Sequence, residues 1–336
     1  MSIPNKADWK GFLNLYDRIA IQALEFYPGL SAPKLRLLNY SENATYLVED
    51  CSNKYILRAS RPGYHTKPEI ESELVWLNTI HANTSIEVHL PVPNKKGEYI
   101  QTITFENDPQ EYYCTMFTFL KGDPPDEETE SELIRHFEKL GEITAQLHEH
   151  SINWSKTEGF QRPFWDFETI LGQNPKWGRW QDGIGITQER AALFQQVSDT
   201  IKQRLERFGK GRNKFGMIHA DIRLANFIIE GQRIKVIDFD DCGFGWYLFD
   251  LAASLSFIEH KAFVPGLIHS WLRGYRKVRP LSKQEQQEIP TFIMMRRLML
   301  ISWIGSRNNE TTQKMGRAYT METVKIAQDY LKTFKV

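Results

Sequence analysis

Residues 215–241 read FGMIHADIRLANFIIEGQRIKVIDFDD, and this stretch decides the fold. Two apolar strand-like runs flank a polar loop. Asp221 and Asn226 are five apart, and Asp238 follows twelve residues after Asn226, at the end of the run Ile234–Ile237. Glu230-Gly231-Gln232 joins the strand-like stretches Asn226–Glu230 and Arg233–Phe239. A hairpin of that size brings Asn226 and Asp238 to the same end of a two-stranded ribbon. An amide oxygen and a carboxylate meeting there are hard donors, suited to Mg²⁺ rather than to zinc. Asp221, at the loop apex, is placed to accept a proton from an incoming hydroxyl.

The order His219-Ala220-Asp221-Ile222-Arg223-Leu224-Ala225-Asn226, then Asp238-Phe239-Asp240, has the spacing of the protein-kinase catalytic loop and its metal-binding aspartate. Ala220 stands where protein kinases carry Arg. With this small residue, and with the stretch 241–252 that contains Asp250, the segment resembles the aminoglycoside phosphotransferase and choline kinase family, a kinase-like group acting mainly on small molecules. The resemblance implies an α+β, bilobal protein kinase-like fold with a β-rich N-lobe and a mainly helical C-lobe. It implies transfer of the γ-phosphoryl group of ATP, with Mg²⁺, to a hydroxyl of an aminoglycoside, choline, ethanolamine, homoserine, a sugar or a similar amino alcohol. Asp221 then orients and deprotonates the acceptor, and Asn226 and Asp238 hold the metal. Arg223 contacts the transferring phosphate or the substrate, with an ion pair to a nearby acid as its structural alternative. Asp250 opens a helix packed against the catalytic loop. A protein Ser/Thr kinase of the same fold remains open, as does a nucleotide-binding regulator without catalysis. So does a metal hydrolase using His219, Asp221 and Asp238.

The rest of the chain changes character near residue 120. Before it, short strand-like segments (Lys34–Asn39, Thr45–Glu49, Tyr55–Arg58, Glu98–Thr104, Tyr112–Phe119) alternate with turn formers. Helices are predicted at about 8–27 and 67–81, the second opened by Thr66 as N-cap, Pro68, and Glu69 three after the cap. After Lys121, helical periods run near 127–149, 187–207, 246–259, 262–278, 283–306 and 319–333, and only two short β-like stretches remain. The boundaries expected are a nucleotide-binding lobe over 1–120, a hinge at about 116–122, and a catalytic and substrate-binding lobe over 121–336.

A phosphotransferase needs a cation on the nucleotide phosphates and an acid to hold that cation. Glu73 lies on the apolar side of the 67–81 helix with Ile70, Leu74 and Leu77, where a carboxylate is costly unless it meets a cation or, at the helix edge, reaches water. Arg58, ending the strand Tyr55–Arg58, is the expected partner and the expected phosphate contact; Lys54, on the same strand face, is the alternative. The stretch 55–77 resembles bacterial members of the same family, with Arg58 where most kinases have Lys. Ser41-Glu42-Asn43-Ala44-Thr45-Tyr46 has no glycine but resembles the Asn- and Ser-rich phosphate loops of that family, which puts Ser41 and Asn43 near the nucleotide. An ordinary hairpin turn explains the same residues. Met116, Phe117 and Phe119 mark where a kinase-type hinge would meet adenine through its backbone.

Composition excludes much else. The 336 residues carry 42 Lys+Arg against 42 Asp+Glu, so no global field draws in nucleic acid or an anionic membrane. Apolar stretches near 251–258 and 298–306 fall short of the roughly 18–20 residues that span a bilayer. Three scattered cysteines and no signal-peptide core lead to the expectation of a cytoplasmic enzyme whose partner is a small-molecule hydroxyl acceptor. Asp240 and Asp241, beside the metal pair, lean toward a cationic acceptor, though caps or outer metal contacts account for them too. Of Arg296-Arg297, in the apolar run 292–304, one is expected half-buried, paired with an acid or facing substrate. The aromatic segments 162–167 and 177–180 border the pocket or belong to the core.

Overall fold

The computed structural model describes residues 9–40, 43–51, 53–125, 129–306 and 310–334. By internal contacts the chain separates into two compact units, 1–121 with 157–161, and 122–156 with 162–336.

In the first unit, α1 (Trp9–Leu24) precedes the antiparallel strands β1 (Lys34–Tyr40), β2 (Ala44–Asp50) and β3 (Asn53–Ala59). Then come α2 (Lys67–Asn83), β4 (Pro91–Val92), β5 (Ile100–Phe105) and β6 (Asp108–Thr118). The sheet runs β1-β2-β3-β6-β4, with β5 also paired to β6. Strand alternation sends Tyr46, Val48, Leu57, Ala59, Cys114 and Met116 into one core with Tyr16, Ile19, Ala20 and Ala23 of α1. Arg58, between Leu57 and Ala59, is directed to the opposite face by the same alternation. Helix α2 starts with a complete capping box. The Glu69 N–H donates to Thr66 Oγ1, and the Thr66 N–H donates to Glu69 Oε2 at 2.7 Å.

The second unit contains α3 (Glu130–Asn153), β7 (Phe164–Trp165), α4 (Phe167–Ile170), α5 (Gln188–Phe208), β8 (Phe215–Ile218), β9 (Phe227–Glu230), β10 (Arg233–Val236) and β11 (Gly243–Trp246). The helices α6 (Leu248–Ser254), α7 (Val264–Tyr275), α8 (Lys283–Gly305) and α9 (Glu310–Thr333) close it. The expectation of only two short strand-like stretches here is corrected. A second small sheet, ordered β7-β11-β8, stands beside the β9–β10 hairpin. The helix expected over 246–259 ends at Ser254, and the one expected over 262–278 ends at Tyr275, with Val278 exposed beyond it. The acids Asp126–Glu128 of the expected first turn of α3 lie outside the described residues; α3 begins at Glu130 behind Thr129.

Helices α3 and α7 approach until their backbones touch. A Cβ on Gly274 would lie 1.7 Å from the Glu138 carbonyl oxygen, and one on Gly141 would lie 2.0 Å from that of Trp271. This closeness sets Tyr275 against His148. Gly274→Ala forces the helices apart and is expected to destabilise the fold by about 1–3 kcal/mol. A chemical-denaturation midpoint checks it, with native helix content retained.

Candidate active site

The loop between β8 and β9 holds His219, Asp221, Arg223 and Asn226. It follows strand β8 and ends in a single 3₁₀ turn, Leu224–Asn226. The β9–β10 hairpin has a two-residue turn with Gly231 at φ 62°, the position at which glycine is unstrained. Beyond the ladder the Ile237 N–H donates to the Asn226 carbonyl at 3.0 Å, so Asp238 follows one residue past that bond.

Asp221 is the centre of a dense set of donors. Arg296 Nη2 of α8 donates to Oδ1. Arg223 Nε donates to Oδ2 at 3.1 Å, and Asn226 Nδ2 donates to Oδ2 at 3.1 Å and to the Asp221 carbonyl at 2.8 Å. Arg223 is opposed by burial, yet the charges of Asp221, Asp238 and Asp241 hold its pKa above the ordinary value. Those carboxylates therefore share one electrostatic neighbourhood with Arg223.

Two residues of this site have left-handed backbones without being glycine, Ala220 at φ 67° and Asp238 at φ 63°. Such conformations cost roughly 1–3 kcal/mol and persist only where neighbours over-determine them. At Ala220 the restraint is visible. Its N–H donates to Asp250 Oδ1 at 2.8 Å, and its carbonyl accepts from Arg296 Nη1 at 3.3 Å.

Asp250, on α6, is fully buried and organises the loop. Besides Ala220 it accepts the His219 N–H at 3.1 Å and His148 Nε2–H at 3.0 Å. His148 Nδ1 then accepts from the Tyr275 hydroxyl at 2.9 Å, and that hydroxyl accepts from Arg279 Nη1 at 2.6 Å. Only an Nε2–H tautomer satisfies this order, because a carboxylate donates nothing. His219 has the same tautomer: Nε2–H donates to the Ile237 carbonyl at 3.1 Å, and Nδ1 accepts the Asp221 N–H at 3.3 Å.

Burial pushes both imidazoles below their ordinary pKa, and nearby Asp250 only partly opposes it. The folded state thus holds both neutral, while the unfolded chain takes up protons near pH ~6.5. Stability is highest above that value and is lost as the pH falls from it toward the folded pKa values. The expected slope approaches ~1.4 kcal/mol per pH unit for each histidine. Urea midpoints measured from about pH 7.5 down to about pH 5 test this, and a flat profile would contradict it.

A clamp holds the segment after Asp238. Arg162 Nε donates to the Cys242 carbonyl at 2.6 Å and its Nη2 to that of Asp240; Trp165 Nε1 donates to the Asp241 carbonyl at 2.7 Å. Arg162 and Trp165, read from sequence only as part of an aromatic block, therefore fix the backbone of the Asp-Phe-Asp-Asp run. Asp240 is itself buried.

In the first unit, Arg58 and Glu73 form a bidentate pair, Nη1 to Oε1 at 2.8 Å and Nη2 to Oε2 at 2.7 Å, both buried. The guanidinium lies 5.0 Å over the Phe117 ring. Lys54 pairs with Glu49 at 2.8 Å and is half exposed. Asn43 is buried and accepts the Arg61 N–H on Oδ1 at 3.2 Å. Ser41 lies outside the described residues. Met116 and Phe117 sit between β3 and β4, so the ladder covers both flanks of their backbone, whereas Phe119 lies past the end of β6.

The profile of the Phosphotransferase enzyme family (APH) matches residues 35–281. The chain belongs to this family. Among solved structures, a microcompartment-associated aminopropanol kinase is 41% identical with a TM-score of 0.87, over 94% of this chain and 98% of that one. An amicoumacin kinase in complex with AMP-PNP, Ca²⁺ and Ami is 19% identical with a TM-score of 0.75, over 92% and 93% of the two chains. In sequence, the amicoumacin kinase of Bacillus subtilis (strain 168) is 23% identical over 282 residues, 81% of this chain and 80% of its own length.

As a member of the phosphotransferase enzyme family the chain is a kinase, with the α+β, protein kinase-like fold that the motif around Asp221 implied. Among the described residues no helix is long and apolar enough to cross a membrane. Neither is there a group of three or more His, Cys, Asp or Glu side chains able to hold a metal.

One expectation about α8 needs amending. Arg296 and Arg297 are both buried, at 1% and 0% exposure, rather than one of them half-buried. Arg297 turns to Glu259 at 2.7 Å, Thr323 and the Tyr319 carbonyl, and ties α8 to α9. Arg296 reaches Asp221 across a separation of 75 residues. The apolar run around it signals burial and a need for a partner, but no local pattern identifies which acid.

Proposed function

We propose that this kinase transfers the γ-phosphoryl group of ATP to the hydroxyl of a small amino alcohol of the aminopropanol class. The observation carrying this reading is the 41% identity to the aminopropanol kinase across 94% of the chain. The donor set around Asp221 is consistent with it. The acceptor hydroxyl gives its proton to the Asp221 carboxylate as its oxygen bonds to the γ-phosphorus, and the bond from that phosphorus to the β-phosphate bridging oxygen breaks to release ADP. Arg223 contacts the transferring phosphoryl group and offsets its charge. Arg58, oriented by Glu73, binds the nucleotide phosphates as a planar fork, a geometry Lys54 lacks. Asn43 shapes the phosphate loop through its bond to the Arg61 backbone. With the flanks of Met116 and Phe117 covered, adenine meets the backbone from Phe119 onward.

The hard donors of Asn226 and Asp238 fit Mg²⁺. Asn226 commits its NH₂ to Asp221, which leaves the amide oxygen as the metal-facing end, and the Arg162–Trp165 clamp sets the backbone that follows Asp238. When bound, the ion neutralises charge on the phosphate oxygens.

A panel of hydroxyl acceptors tests the reading: aminopropanol, ethanolamine, choline, homoserine and an aminoglycoside, each incubated with labelled ATP and Mg²⁺, with product detected by mass. The expected result is the highest kcat/KM for aminopropanol. Preference for an aminoglycoside or for homoserine would displace it.

A further inference from the structure

The Asp221 carboxylate offers about four acceptor sites in its plane, two on each oxygen. Arg223 Nε and Asn226 Nδ2 occupy Oδ2, and Arg296 Nη2 takes one side of Oδ1. Among the described residues one acceptor site remains, on Oδ1. Arg296 is held at every nitrogen that faces the loop: Nε donates to Ser256 Oγ at 3.0 Å, and Nη1 donates to the Ala220 carbonyl at 3.3 Å. Its guanidinium carbon lies 5.1 Å from the Trp177 ring centroid and 5.7 Å from that of Phe249. The group is thus fixed in position, and it grips both the strained Ala220 peptide and the carboxylate that follows it. Arg296 lies beyond the 35–281 segment that the family profile covers, so this contact is contributed by the C-terminal helices of the chain.

We infer that Arg296 is a positioning residue for phosphoryl transfer, holding the Asp221 carboxylate so that the remaining acceptor site on Oδ1 receives the acceptor hydroxyl. The inference rests on the reading of Asp221 as the proton acceptor. An ion pair serving stability alone would be indifferent to which oxygen is occupied. A positioning role makes the rate depend on the fork, because a shift of about 1 Å in a reacting group costs on the order of 10²-fold. Lysine keeps the charge but cannot hold Ala220 and Asp221 together.

The test is a double-mutant cycle in kcat. Arg296→Met is expected to lower kcat by about 10²-fold while the KM for ATP stays within about twofold. Because that variant leaves Asp221 facing a lost cation in a buried site, Arg296→Lys, which preserves the charge, is measured beside it and is expected to lose about tenfold. In the Asp221→Asn background, Arg296→Lys is expected to have no further effect on the residual rate, since the group it positions is already gone. Arg297→Lys, on the same helix but turned to Glu259, lowers the melting temperature while kcat below that temperature is unchanged.

A wild-type kcat in folded Arg296→Lys, or rate losses that multiply independently in the double variant, would overturn the inference. If Asp221→Asn itself retains full activity, the reading of the base fails instead, and the two failures are separable.

Discussion

Asp221→Asn is expected to slow phosphoryl transfer by about 10²–10⁴-fold, the range that a positioned proton acceptor contributes. Asparagine keeps the shape of the side chain and one acceptor oxygen, so the loop retains part of its hydrogen bonding. What it removes is the negative charge that faces Arg296 and Arg223 and that is proposed to take the acceptor proton. Nucleotide affinity should change by less than about twofold, because the proposed phosphate and metal contacts belong to other side chains. Steady-state kinetics beside calorimetric nucleotide binding measure both quantities. Loss of binding and turnover together would recast Asp221 as a structural anchor of the loop.

Asp250→Ala is expected to have the largest effect on stability. Its carboxylate accepts the N–H groups of His219 and Ala220 and the Nε2–H of His148, all in a buried setting. Truncation leaves these donors unsatisfied at roughly 1–3 kcal/mol each before relaxation, and a loss of about 3–5 kcal/mol is expected. The damage extends to function. Ala220 at φ 67° keeps its left-handed backbone through its bonds to Asp250 and Arg296, so losing one releases the peptide beside Asp221. A kcat reduced by at least about tenfold in the surviving folded fraction is expected, since the proposed base is then misplaced. Asp250→Asn should fall between, because one of its atoms turns a donor toward a backbone N–H. Denaturation midpoints near wild type for Asp250→Ala would contradict this account.

Much of the architecture was legible because it rests on local rules. Thr66 and Glu69 sit at the spacing that closes a capping box, and the structure has both of its hydrogen bonds. Glu73 stood out as an acid on an apolar stripe, and burial forces such a group onto a cation, here Arg58. The hairpin of 227–236 followed from two strand-like runs joined through Glu230-Gly231-Gln232.

What stayed hidden is non-local. Strand β7 has two residues and pairs in parallel with β11, so neither period nor turn chemistry announces it. β11 and β8 each contain glycine, which weakens a strand pattern. The left-handed backbones at Ala220 and Asp238 carry no glycine to mark them; tertiary bonds impose them. Likewise, Arg162 and Arg296 act on carbonyls and a carboxylate more than 70 residues away in the chain, and only the fold reveals those partners.

The most direct test of the central claim is product analysis after incubating the protein with ATP, Mg²⁺ and aminopropanol. The account expects ADP and O-phosphorylated aminopropanol in equal amounts, with both formed at least about 10²-fold more slowly in Asp221→Asn. Release of inorganic phosphate at the same rate with or without the amino alcohol would contradict it.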